Sequence, residues 1–401
     1  MSASMKKYVR DELTQLNELD LVYVSHIDSD HLSGVLQLLK DEVEWRIFDF
    51  QQSRGRPVDE PEVPRPPAIK GILHNGFRDQ VRANRKSLAS LVTLREIENT
   101  LNALVPALLS SSDLALAAAA EDMAAVATSI PESLEVAGLI ATDALAIPLN
   151  RPPGVEKASR LLYAGRPGDR FTLGSLSFTL LGPTAKELND LRTGWDNWLR
   201  ANREQVKKLR EKLKSRIDEF SSGTLTDSPL DLRDWWGVPD FKGVTMPNVA
   251  SLMFMVQEGD KTLLLTGDCQ QDFIIKGLER TGFLEPGGHV RVNVLKVQHH
   301  GSENNMDDAF AERVSADHYV FCGNGEHDNP DLGVLDIVFN SRADDDDPYE
   351  FWFSTTSKAQ AGKAHQPYFR EVEKHARALR RRSNGRLTLH FNEQAGTVLP
   401  I

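Results

Sequence analysis

Four side chains able to bind a metal, His26, Asp28, Asp30 and His31, fall within six positions of one stretch, Val24-Ser25-His26-Ile27-Asp28-Ser29-Asp30-His31-Leu32-Ser33-Gly34. No other feature of the chain constrains it as much. Immediately before them, Leu21-Val22-Tyr23-Val24 is a short apolar, β-branched run that reads as a buried strand. After them, Leu32 to Lys40 has the apolar spacing of a helix. The cluster therefore belongs on a strand-to-helix loop, where layered α/β proteins carry function. Imidazole and carboxylate both suit zinc and manganese, and two of each can hold one or two divalent ions. Taken alone, the same residues also read as a solvated turn that happens to be rich in His and Asp.

Two later stretches favour the metal reading. Lys261 to Leu265 is an apolar strand followed by Thr266-Gly267-Asp268, and Val294 to Val297 is another that runs into Gln298-His299-His300-Gly301-Ser302. In each case a strand delivers a metal-ligand type at its C-terminal end, as the first motif does. The order His-x-Asp-x-Asp-His, Thr-Gly-Asp, His-His-Gly-Ser resembles the metallo-β-lactamase fold. It is most similar to the subgroup typified by the soluble hydrolase domain of the DNA-uptake protein ComEC, which carries Asp where better-known members have a second His; Asp28 fits that subgroup. The resemblance covers residues 19–40, 160–183 and 245–335.

The resemblance implies an α/β fold, a four-layer αββα metallo-β-lactamase sandwich with helical insertions and without the usual N-terminal strands. Residues 1–80 would form the first part of the core, 81–158 a helical insertion and 159–184 a core hairpin. Residues 185–240 would be a charged helical insertion, and 241–401 the second part of the core with a C-terminal extension. The expected cofactor is a pair of divalent ions, zinc first and manganese second. His26 and Asp28 would hold one ion, with His74 as a further candidate, although a lone His after a strand is as readily structural. Asp30, His31 and either His300 or His327 would hold the other, with Asp268 bridging. His327 aligns with the family's last histidine motif, Gly-His-Pro, with a two-residue departure before Pro330. Asp30, His299 and His300 are the catalytic candidates; whichever of His299 and His300 is not a ligand would protonate the leaving group. A water between two cations is acidic enough near neutral pH to be the nucleophile. Ser302 beside His300 lacks the Gly-x-Ser-x-Gly elbow of a serine hydrolase.

Composition narrows the class. Two cysteines, Cys269 and Cys322, make no disulfide framework and no Cys-x-x-Cys zinc pair. Met1 to Leu19 lacks the apolar core of a signal peptide, and the longest apolar run, Leu114 to Ala120, is closed by Glu121 and Asp122. The expectation is a cytoplasmic protein outside the membrane. A net charge of −11 argues against broad electrostatic binding of nucleic acid. Bound cations and a local basic strip, Lys207 to Arg216, would offset it at a site.

The remaining expectations concern elements. Met5 to Asp20 reads as an amphipathic helix and Glu44-Trp45-Arg46-Ile47-Phe48-Asp49-Phe50 alternates like a strand. Ile69 to Leu73 reads as one short strand ending at His74. Segments 86–110, 112–129 and 132–139 read as helices, as does the charged stretch from Ala185 to Phe220. Arg170 to Pro183 is a hairpin by pattern, and Pro367 to Arg382 a basic helix. His318, His365, His375 and His390 have no motif around them and read as structural or surface residues. A missing N-terminal strand set would leave a sheet edge for a protein partner to cover.

Three functions follow as expectations. A two-metal phosphodiesterase or nuclease comes first, because two cations suit in-line displacement at phosphorus. A metallohydrolase of small esters, lactones or amides comes second, and a non-catalytic interaction protein with a disabled site third.

Overall fold

The computed structural model describes residues 16–76, 135–142, 144–156, 161–189, 251–393 and 397–401, with a few isolated positions between 7 and 13 and at 132 and 133. The expected helices at 86–110 and 112–129, most of the charged stretch 185–220 and the basic strip Lys207 to Arg216 lie outside the described residues.

The chain is α/β, built on an eight-stranded mixed sheet with helices packed against it. The sheet runs in the order β12-β11-β10-β9-β8-β7-β6-β5. Its strands are β5 (Arg170–Leu173), β6 (Leu176–Gly182), β7 (Met253–Glu258), β8 (Lys261–Leu265), β9 (Val290–Lys296), β10 (Val314–Phe321), β11 (Tyr349–Phe353) and β12 (Leu387–Phe391). From β8 to β12 neighbours are parallel; from β5 to β8 they are antiparallel. The expected hairpin is β5–β6, closed at Gly174-Ser175.

Alternation decides what each face meets. On β7, Met253 and Met255 join a core that takes in α2 (Gln271–Thr281), α3 (Asp308–Arg313), α4 (Leu332–Ser341) and α5 (Gln366–Arg382). Phe254 and Val256 point the other way, into a second core with Leu180, Leu73 and Tyr23. Leu73 and Tyr23 come from two short parallel ladders, β1 (Glu18–Leu19) with β3 (Ala68–Ile69) and β2 (Val22–Tyr23) with β4 (Ile72–Leu73). Beyond them a third core joins Ile69 and Ile72 to Leu32, Leu36 and Leu39 of α1 (Ser29–Ser53).

Three expectations are corrected here. Glu44 to Phe50 is not a strand: it is the second half of α1, which runs unbroken to Ser53 because no Pro or Gly intervenes between Gly34 and Gly55. Trp45 turns inward and is buried, whereas Ile47 and Phe50 stay exposed. The expected helix Met5 to Asp20 does not reach its C-terminal end, since Glu18–Leu19 is extended and pairs with Ala68–Ile69. The expected strand Ile69 to Leu73 is divided at Lys70-Gly71, with each half in a different ladder. Helices α3 and α4 were not anticipated from the sequence.

Candidate metal centre

Three strand ends converge. The parallel register Leu265↔Lys296 puts the ends of β8 and β9 side by side, so Asp268 and His299-His300 emerge at the same sheet edge. Two backbone bonds anchor the loop after β2: Val24 N–H to Leu73 O of β4 at 2.9 Å, and Leu252 N–H, just before β7 of the large sheet, to Ser25 O at 2.8 Å. The turns after β8 and β9 both bend through left-handed backbone. Gly267 has φ +55°, and a Cβ there would lie 3.0 Å from the Cβ atoms of Ser25 and Ser251. His299, His300 and Gly301 follow one another at φ 46°, 56° and 90°.

Within this junction, one nitrogen or oxygen from each of Asp30, His31, Asp268 and His300 lies within 4.8 Å of all the others. Asp268 is at the centre. His31 Nε2 is 3.3 Å from its Oδ1, His300 Nε2 is 3.3 Å from its Oδ2, and Lys296 Nζ is 3.2 Å from Oδ1. Asp30 Oδ2 is 2.7 Å from His300 Nε2 and 3.4 Å from His31 Nε2. This donor set, two imidazoles and two carboxylates, fits a divalent cation such as zinc or manganese.

A second group adjoins it. His26 Nε2 is 3.3 Å from Asp28 Oδ2 and 3.8 Å from Asp268 Oδ2. Among the described residues, His26 Nε2, Asp28 Oδ1 and both ring nitrogens of His74 are buried without a hydrogen bond of good geometry. Buried polar atoms left in that state are costly. His74 is fixed through its backbone: its N–H donates to Asn150 Oδ1 at 2.8 Å, and Asn150 Nδ2 donates to its carbonyl at 2.7 Å.

The electrostatics match these distances. Burial pushes against ionisation of Asp268, yet Lys296, His31 and His26 hold it well below the usual carboxylate range. Asp30 is lowered against its own burial by His300 and His31. His300 is pushed up to about 10: burial opposes the imidazolium, and the hydrogen bonds to Asp268 and Asp30 outweigh it. His26 is raised by Asp268 and Asp28 against its burial. His31 is lowered by burial and by His26, and His74 is lowered to about 4 chiefly by burial.

Of the residues singled out in the sequence, Asp30, His31, Asp268 and His300 meet in one cluster, with His26 and Asp28 beside it; His74 directly follows β4, the strand paired with β2. His299 is set apart. Its Nδ1–H donates to Asn305 Oδ1 at 2.6 Å and its Nε2 is 4.0 Å from Asp268 Oδ2. Asn305 in turn donates to the carbonyls of Asp268 and Cys269. His327 does not belong to the cluster; it is exposed, on the left-handed turn before Pro330. Between the two alternatives for the second ion, the geometry assembles His300 and leaves His327 out. Lys296, Ser25 and Asn305 escaped the sequence reading. The one signal available for Lys296 was a charge in an otherwise apolar strand, directly before the His pair.

No family model and no curated protein matches this chain. Among the described residues no helix is long and apolar enough to cross a membrane.

Proposed function

We propose that this protein is a divalent-metal-dependent hydrolase with a metallo-β-lactamase-like architecture, acting on phosphodiester bonds. The observation that carries the reading is the convergence of Asp30, His31, Asp268 and His300, from three strand ends distant in sequence, to within 4.8 Å of one another. The packing order of helices, large sheet, short ladders and α1 supports a four-layer sandwich.

Asp30, His31, Asp268 and His300 would hold one ion; His26, Asp28 and His74 would hold a second, with Asp268 shared. Bound there, the ions would acidify a water and polarise the scissile phosphoryl oxygen. The chain's own residues supply the rest. Lys296 keeps Asp268 ionised and oriented, from its contacts with the carboxylate and with Gly267 O at 2.9 Å. His299 is the candidate acid: Asn305 fixes its Nδ1, so that when the ring is protonated its Nε2–H faces the centre and can pass to the leaving oxygen.

The test is metal per folded chain, by elemental mass spectrometry on protein purified without chelator, together with cleavage of single-stranded DNA and of bis(p-nitrophenyl) phosphate. Retained zinc or manganese and phosphodiester cleavage, both falling at least tenfold in Asp268→Asn, are expected. A chain that neither retains nor takes up either ion would overturn the proposal; metal with esterase but no phosphodiesterase activity would move the substrate to small esters.

A further inference from the structure

Helix α5 is a strongly charged element that the metal centre does not use. Over Gln366–Arg382 it carries six Arg or Lys against two Glu, in a chain whose net charge is −11. Phe369, Val372, Ala376 and Leu379 share one side of the helix and are buried in the core beneath the large sheet. Arg370, Lys374, Arg377 and Arg381 share the opposite side and are all exposed. At 3.6 residues per turn they lie within about 60° of one another, and they climb the axis in steps of about 6, 4.5 and 6 Å.

Neither the helix dipole nor ion pairing accounts for this stripe. The dipole favours cations in the last turn, which explains Arg380, Arg381 and Arg382, but Arg370 and Lys374 stand well before it. Glu371 pairs with Lys374 at 3.1 Å with both side chains largely in solvent, where such a pair is weak. Glu373 is turned inward: one carboxylate oxygen accepts the Ser357 N–H at 2.6 Å and the other faces Arg377 at 3.2 Å. The stripe therefore keeps a net positive charge. Three of its four cations are guanidinium groups, whose planar fork matches a phosphate.

The start of α5 is seated beside the metal centre. Tyr368 Oη donates to Pro330 O at 3.2 Å, and the next residue, Asp331, donates its N–H at 2.9 Å to Gly301 O, in the turn of His299 and His300. Glu326 and Asp328 on the intervening loop are exposed and anionic, so an anion is gripped on the helix and not on that loop.

We infer that the exposed stripe of α5 is a docking surface for the phosphate backbone of a single nucleic-acid strand. A membrane does not fit, because the apolar side of α5 is already in the core and none is left to insert. A single row of cations matches the single row of phosphates on one strand. The choice of nucleic acid over another polyanion rests on the phosphodiesterase reading; docking itself is measured without catalysis.

The test is fluorescence anisotropy of the full chain as purified, with a labelled, nuclease-resistant phosphorothioate DNA strand of about 16 nucleotides. Wild type is compared with Arg370→Gln/Lys374→Gln/Arg381→Gln. Arg377 is kept because it pairs with Glu373 and lies over the Phe391 ring at 5.2 Å. Each phosphate contact to a single strand contributes about −0.7 to the slope of log K against log salt. The triple variant should therefore lose about 2 from that slope and bind at least tenfold more weakly at about 50 mM salt. Its melting temperature and its rate on bis(p-nitrophenyl) phosphate should equal those of the wild type. Affinity and slope unchanged in the variant would overturn the inference. Polyglutamate that displaces the strand at equal charge concentration would overturn the assignment to nucleic acid. Binding that falls in the variant of a protein cleaving no phosphodiester supports the docking surface and sinks only the phosphodiesterase reading.

Discussion

His299 and His300 are neighbours in sequence with separate positions in space, and their separation makes each one testable. His300 contacts Asp30 and Asp268, whereas His299 is held off by Asn305. If His299 delivers the proton, its loss matters only where the leaving group needs one. His299→Gln should slow cleavage of a dinucleotide, with its alkoxide leaving group, by about 10²-fold or more. Bis(p-nitrophenyl) phosphate, whose nitrophenolate leaves unprotonated, should be cleaved within a few-fold of the wild-type rate. Equal losses on both substrates would remove His299 from the acid role. His300 gives a pH signature. Its folded pKa of about 10 lies above the ordinary 6.5, so its contribution to stability without metal is complete below about pH 6.5 and lost as pH rises towards 10. A cation needs the same Nε2 lone pair, so zinc affinity should climb across that window and uptake at neutral pH should release a proton. Calorimetric titrations in buffers of different ionisation enthalpy measure that release, and an enthalpy independent of buffer would contradict it.

At the level of elements, the turn after β9 is the strained part of the centre. Two non-glycine residues in left-handed backbone cost about 1–3 kcal/mol each, and the surrounding structure must hold them there. Three backbone bonds do so: His299 N–H to Gly267 O at 3.3 Å, Ser302 N–H to His299 O at 2.9 Å and Asp331 N–H to Gly301 O at 2.9 Å. Gly301 completes the turn at φ +90°, where a Cβ would stand 2.7 Å from Pro330 Cβ and 3.1 Å from Phe321 Cδ1. Gly301→Ala should therefore lose about 2 kcal/mol or more, read as a lower urea midpoint at unchanged slope. An unaltered midpoint would mean that the turn is less constrained than its neighbours suggest.

Across the whole molecule, the candidate ligands tie the loop after β2 to the ends of β8 and β9, segments more than 200 residues apart in sequence. A ligand that binds only the folded chain stabilises it, by about 4 kcal/mol at a thousandfold excess over Kd. Adding zinc to chelator-treated protein should raise the melting temperature by several degrees, and the rise should vanish in Asp268→Asn. A melting temperature indifferent to zinc in the wild type would place no cation at this junction.

Much of this was legible in order along the chain. Apolar runs ending in His26, Asp268 and His299-His300 declared strands with ligand types at their C-terminal ends, and the hairpin β5–β6 and the helix α5 followed from local periodicity. Glu44 to Phe50 misled because a short alternating run is compatible with either period, and only the continuity of α1 from Ser29 decides between them. Which histidines join the centre was never a local property. His300 and His327 are equally motif-like in sequence, but the register of β8 on β9 brings the first to Asp268, while the turn before Pro330 leaves the second in solvent. The same holds for Lys296 and Asn305, whose roles exist only once chain segments far apart in sequence are packed together. Sequence alone determined the kinds of ligand and the strands that deliver them, because those depend on residue type and nearest neighbours. The tertiary structure decided which atoms meet, because strand pairing and a few long-range hydrogen bonds set distances that no local pattern encodes.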